Sequence, residues 1–347
     1  MKIKSKKNYY FIIILLTAVV FMIAVVLFFI QTPPELITEN IVPIKIEPCK
    51  NFRLIDGICV ESGKEDIKPI AVMIENHFES WPQAGLASAQ LVYEAVTEGA
   101  ISRFLAIYTD YEKIEKIGPV RSARPYFIDW AEEYGALYLH CGGSVAALEQ
   151  VKKSDSLDDV NEYYAGKYFW RDPGKPSPHN IFTSANFLNK YLQDYKIINY
   201  GNYQSWVFTD EASWDQRGND YGYISFNYSP HSTYLVEWFY DRQDNIYYRE
   251  HAGERHQDDT GKQIIAKNIV FQFVETKTLD SIGRKEMKTV GSGKALIFQN
   301  GKLIEGKWKK ETQKDRTRFY DPAETEVAFV RGTTWIEVVP TGWQINY

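Results

Sequence analysis

From Phe11 to Ile30 the chain carries no charged residue, and four lysines (Lys2, Lys4, Lys6, Lys7) stand ahead of that run. Twenty helical residues span about 30 Å, the thickness of a bilayer's hydrocarbon layer, so this pattern predicts one membrane-spanning helix. Lysines on the leading flank, with none directly behind, place the N-terminus in the cytoplasm and everything after Gln31 outside it. A cleaved signal peptide is the competing reading. Its apolar run is usually shorter and ends in small residues, whereas this one ends Leu27-Phe28-Phe29-Ile30. The expected localisation is the cell membrane, single-pass, with residues 1–31 as cytoplasmic lysines and anchor.

Residues 32–67 hold prolines and no helical period, which predicts an extended extracytoplasmic linker. Inside it, Cys49 and Cys59 flank Asp56-Gly57, a hairpin-turn dipeptide. Outside the cytoplasm such a pair is expected to close a small disulfide loop, two free thiols being the alternative. Cys141 is left over and reads as a buried, inert thiol.

From Pro69 the pattern changes. Runs at 70–74, 91–96, 104–108 and 136–140 read as strands, with a turn at Glu98-Gly99. Ser122 reads as a cap for a helix carrying Pro125 in its first turn, Ser144 as the cap of a second helix, and Thr183-Ser184 as the start of a third. After about residue 205 helical periodicity fades. Residues 234–240 and 245–248 flank the turn Asp241-Arg242-Gln243-Asp244. Asn300-Gly301, between apolar runs, is the strongest hairpin signal in the chain, and 335–339 supply a late strand. The expected fold class is α+β: after the single transmembrane helix, a mixed α/β domain over 68–205, then a β-rich sandwich or barrel-like domain over 206–347.

Composition narrows the function classes. A formal charge of −5 over 347 residues offers no concentrated basic face, so no nucleic-acid partner is expected. Aromatic residues make up 15% of the chain, a content that suits strands and flat sugar- or peptide-binding surfaces.

The segments Ile70-Ala71-Val72-Met73-Ile74-Glu75-Asn76-His77, Leu91-Val92-Tyr93-Glu94, Glu98-Gly99 and Arg103-Phe104-Leu105-Ala106 resemble the YerB-like lipoprotein family. So do Ile117-Gly118-Pro119-Val120-Arg121-Ser122-Ala123-Arg124-Pro125, Pro178-His179-Asn180 and the later run 260–268. The resemblance covers roughly residues 68–340 and implies a bacterial cell-envelope protein of two domains, with no settled activity. One departure stands out: no lipidated cysteine follows the apolar run, so the helix itself is expected to be the anchor.

Chemistry is expected at the ends of the first domain's strands, where ligands usually bind in mixed sheets. Arg103, Arg121, Ser122, Arg124, His140, Arg171, Asp172, His179 and Asn180 gather there in the sequence reading. Guanidinium groups and helix N-termini favour an anion, such as a peptidoglycan carboxylate or a wall-polymer phosphate. The plainer alternative is internal pairing of these arginines with Glu94, Glu98, Asp129 and Asp172. Glu94, alone in an apolar strand, and Glu98 are the candidates for acid chemistry, because desolvation raises a carboxyl pKa. Four residues apart on one strand they would stand about 13 Å from each other, too far for a conventional glycosidase pair. No metal site is expected, because the six histidines lack metal-ligand spacing. No cofactor is expected either. His251, His256 and Asp258 read as a loop facing water.

Three functions remain on this reading. The first is binding of an anionic wall glycan or related polymer. The second is cleavage of peptidoglycan with Glu94 or Glu98 as acid, and the third is a non-enzymatic scaffold for envelope proteins.

Overall fold

The computed structural model describes residues 4–31, 49–219 and 222–347, and the chain divides into two compact units, Met1–Pro48 and Cys49–Tyr347. The first contains helix α1 (Lys4–Gln31), whose Tyr9–Phe28 segment is long and apolar enough to cross a membrane. A signal sequence has the same features. Residues 32–48 of the expected linker lie outside the described residues. Residues 49–67, also expected to be linker, belong to the folded unit: Ile55 is buried in its core, and Arg53 pairs with Asp56 at 2.6 Å and Asp110 at 3.0 Å. Cys49 and Cys59 are bonded, with Cα atoms 5.9 Å apart.

The folded unit is built on one ten-stranded sheet. Its N-terminal half supplies β1 (Ile70–Glu75), β2 (Leu91–Val96), β3 (Ser102–Tyr108), β4 (Leu137–His140) and β5 (Asp158–Asn161). All six residues of β1 are buried, as a central strand covered on both faces requires, which is why its sequence is almost continuously apolar. The C-terminal half supplies β6 (Tyr223–Asn227), β7 (Leu235–Asp241) and β8 (Ile246–His251), then β9 (Asn268–Val274), β10 (Gly291–Gln299), β11 (Lys302–Lys310), β12 (Arg318–Tyr320) and β13 (Thr334–Pro340).

Strand order in the large sheet is β12-β11-β10-β9-β13-β2-β3-β1-β4-β5. The late strand β13 runs parallel to both neighbours, pairing Leu91 with Thr334 on one side and Asn268 with Thr334 on the other. The strands before and after the expected boundary at 205/206 form the two halves of this sheet, joined where β2 pairs with β13. The α+β class stands, with the C-terminal strands completing a sheet begun by the N-terminal ones.

Alternation along β2 assigns the two faces. Tyr93 stacks on Trp130 of helix α2 (Pro125–Glu132), ring centroids 5.2 Å apart, so its face is the helical one. Glu94 points the other way and meets Arg249 of β8, which belongs to a second, smaller sheet of β6, β7, β8 and short flanking strands. Trp238 of β7 lies 5.5 Å edge-on to Trp335 in the same layer.

Helices begin where the sequence caps them, with one exception. Ser144 accepts the amide of Ala147 at the start of α3 (Val145–Lys153). The short helix α4 (Glu162–Ala165) follows β5, and Ser184 caps α5 (Ala185–Asp194). Ser122 is not the cap of α2. Arg124 holds that position without a side-chain bond, because Pro125 presets the first turn.

Candidate functional site

The predicted site residues separate into three groups. The first lies at the seam between the halves. Glu94 pairs in register with Glu337 of β13, and both are fully buried. Arg249 Nη2 is 2.7 Å from Glu94 Oε2, and Ser102 donates to Glu94 Oε1 at 2.6 Å. Arg249 Nη1 meets His256 Nδ1 at 2.5 Å, and His256 Nε2 meets Gln83 Oε1 at 3.1 Å. Burial, followed by the Arg249 charge, depresses the His256 pKa, so the ring is neutral and donates to Gln83 while accepting from Arg249. His251, His256 and Asp258 are thus buried rather than in a loop facing water. Their polar sequence hid this because Gln83, which meets His256, and Trp81, which packs on His251, come from far along the chain. Glu94 does have a pKa raised by burial, as its apolar strand foretold, but it is sealed from solvent and cannot protonate a polymer.

The second group surrounds Glu98 in the turn after β2. Arg124 grips it with two bonds, 2.6 Å from Nε and 2.8 Å from Nη2. Arg103 approaches at 3.9 Å and donates to the Ser122 carbonyl at 3.1 Å. Burial works to raise the Glu98 pKa, yet the Arg124 bond and charge outweigh it and leave it lowered. A carboxylate held charged is a poor proton donor. The acid role expected of Glu94 or Glu98 therefore finds no support in the geometry. Arg103 and Arg124 are spent on internal pairing, the plainer alternative for them. Burial, then the Arg124 charge, lowers the Arg103 pKa to about 10.

The third group lies past the end of β1. His179 Nδ1 is 2.9 Å from Glu75 Oε2, and its Nε2 is 3.1 Å from Glu79 Oε2. Arg121 Nε reaches the other oxygen of Glu75 at 2.9 Å. His77 stacks on His179 with ring centroids 4.9 Å apart. Beside this cluster Cys141 Sγ is 3.6 Å from Glu162 Oε2, and Arg171 meets Glu162 at 3.3 Å and Asn180 at 3.1 Å. Burial, then the Glu162 charge, pushes the Cys141 thiol up to about 11, so it stays protonated at neutral pH.

Two predicted residues are structural. His140 is buried, with its ring nitrogens 2.7 Å from the Gly142 carbonyl and 2.8 Å from Asp159. Asp172 pairs with Lys116 at 2.7 Å, and its backbone N–H donates to the Asn180 carbonyl at 2.8 Å. The strand ends thus bring together Arg121, Arg171, His179 and Asn180 out of the predicted set. Sequence reasoning passed over Glu75, His77, Glu79 and Glu162 as chemistry. The signal available was Glu75-Asn76-His77 directly after an apolar strand.

Two family models match the chain: the Protein of unknown function (DUF3048) N-terminal domain over residues 57–198 and its C-terminal domain over 224–336. The chain is 33% identical over 294 residues to the protein named "Putative lipoprotein YerB" of Bacillus subtilis (strain 168), covering 82% of this chain and 85% of that one. The crystal structure of YerB protein from Bacillus subtilis aligns with a TM-score of 0.76 at 30% identity, covering 86% of this chain and 100% of that chain. With both domain models matched in order across the shared sheet, the chain belongs to the YerB-like DUF3048 family.

Proposed function

We propose that this is a single-pass membrane protein whose folded unit, held outside the cytoplasm, binds an anionic cell-envelope polymer such as a wall glycan. One observation carries the reading. Arg171 is 53% exposed and is paired to Glu162, directly ahead of two outward-facing tyrosines, Tyr163 and Tyr164. Flat aromatic faces beside a guanidinium suit a sugar ring that carries a carboxylate or phosphate. Arg121 borders the same rim, with its backbone carbonyl accepting from Cys141 N–H. The rim is narrower than the sequence implied, because the side chains of Arg103 and Arg124 are only 13% exposed and turn inward onto Glu98. Binding without cleavage is favoured, since neither Glu94 nor Glu98 offers an available acid.

The test is co-sedimentation of the full-length chain, in detergent, with purified peptidoglycan, together with an assay of the supernatant for released fragments. The expected result is pelleting without release, weakened at least tenfold by the double variant Arg171→Ala/Tyr164→Ala. Equal pelleting of variant and parent, or none by either, would overturn the reading, the latter pointing to a protein partner. Released fragments would restore the lytic alternative.

A further inference from the structure

We infer that His77, Glu79 and His179 form a binding site for one divalent transition metal ion of the zinc class, open to solvent on one side. The three side chains each offer a donor atom, and these atoms all lie within 4.8 Å of one another. Donors around a tetrahedral zinc stand about 3.4 Å apart, given metal–ligand bonds of about 2.0–2.2 Å. Two of the contacts are already near that spacing: Glu79 Oε2 is 3.1 Å from His179 Nε2 and 3.6 Å from His77 Nδ1.

The surroundings are those a metal-bound histidine needs. A ligating imidazole usually gives its other N–H to a carboxylate, which fixes tautomer and ring direction. Glu75 accepts from His179 Nδ1 at 2.9 Å and is itself pinned by Arg121. The other nitrogen of His179 is thereby directed at Glu79. This Nε2 stands 3.1 Å from Glu79 Oε2, a spacing at which one cation can be shared by both atoms. Glu75 and Glu79 both turn a carboxylate oxygen toward His179, on opposite sides of its ring. His77 Nδ1 accepts a long 3.3 Å bond from the Glu79 amide, which a metal would displace.

The donor set selects the metal. Two imidazoles and one carboxylate suit zinc and its neighbours, while calcium and magnesium prefer oxygen ligands throughout. Glu79 is half-exposed, so a fourth position stays open to water or an external anion. No spacing rule exposes this site in the sequence, because His179 reaches His77 and Glu79 only through the fold. The inference does not depend on polymer binding.

The experiment uses the full-length chain in detergent, stripped with chelator, then titrated with Zn²⁺ by calorimetry and with Co²⁺ by visible absorption. One equivalent is expected for the parent. His179→Ala and Glu79→Ala should each bind at least tenfold more weakly, and Glu75→Gln roughly 10–100-fold more weakly. His231→Ala, on an exposed histidine outside the cluster, should bind like the parent. A parent with no saturable equivalent would overturn the inference. So would one equivalent left unchanged by both His179→Ala and Glu79→Ala. Circular dichroism in chelator checks folding, and the half-exposed Glu79 carries the test alone if His179→Ala unfolds.

Discussion

Glu94 and Glu337 face each other across paired strands, with Arg249 as the guanidinium above them. Burial and the placing of Arg249 separate the two carboxyls. Tyr228 Oη lies 2.9 Å from the Glu94 carbonyl and 2.9 Å from Glu337 Oε2. The phenol and the Trp238 indole N–H, 3.0 Å from Glu337 Oε1, both point at Glu337, whereas Glu94 has the guanidinium of Arg249 at 2.7 Å. Arg249 then holds the negative charge on Glu94. The pKa directions agree: burial raises both carboxyls, and the Glu94 charge drives Glu337 further up. In the unfolded chain Glu337 ionises near the ordinary glutamate value, so unfolding releases a proton above about pH 4.5 and stability falls as pH rises. Glu337→Gln removes that slope. The variant should match the parent near pH 4.5 and exceed it by on the order of 1 kcal/mol at pH 8, read from urea midpoints at both pH values. A lone glutamate in an apolar strand was legible as perturbed. Its partner was not, since Glu337 sits in the last strand and nothing local marks the pairing.

Individual elements were mostly legible, because caps, turns and apolar periods act within a few residues. The Asn300-Gly301 turn is the plainest case, with φ of 53° and 65° as a type I′ hairpin requires. What packs against that turn was invisible. A Cβ on Gly301 would stand 2.4 Å from Tyr240 Cε1 and 2.6 Å from the Gly218 carbonyl. Gly301→Ala should therefore add overpacking to backbone strain and cost about 2–3 kcal/mol. Gly261→Ala, where φ is 80° and nothing lies within 4 Å, should cost only about 1 kcal/mol. Calorimetric unfolding of the two variants separates clash from strain. Equal losses would show that the hairpin end tolerates a methyl group. The misread Ser122 cap has a similar cause: Pro125 shifts the start of α2 to Arg124, whose side chain is committed to Glu98.

At the scale of the molecule, one sheet joins the two family-defined halves, and β13 is its keystone, inserted between β2 and β9. Long-range parallel pairing leaves no local trace, which is why the sequence reads as two domains. Residues 49–205 alone would present β2 with an open edge and lose the layer above Glu94. That fragment should show no cooperative urea transition, whereas the full chain should. A sharp transition in the fragment would mean that the halves fold separately. The position of β13 also bears on how the molecule is made. This strand is made after every other strand of the sheet, so the centre of the sheet cannot close until residues 334–340 have left the ribosome. Until then β2 and β9 keep unpaired edges, and contacts of such large sequence separation form slowly. The nascent chain thus has an obligatory interval of vulnerability to aggregation and proteolysis, which ends when β13 arrives.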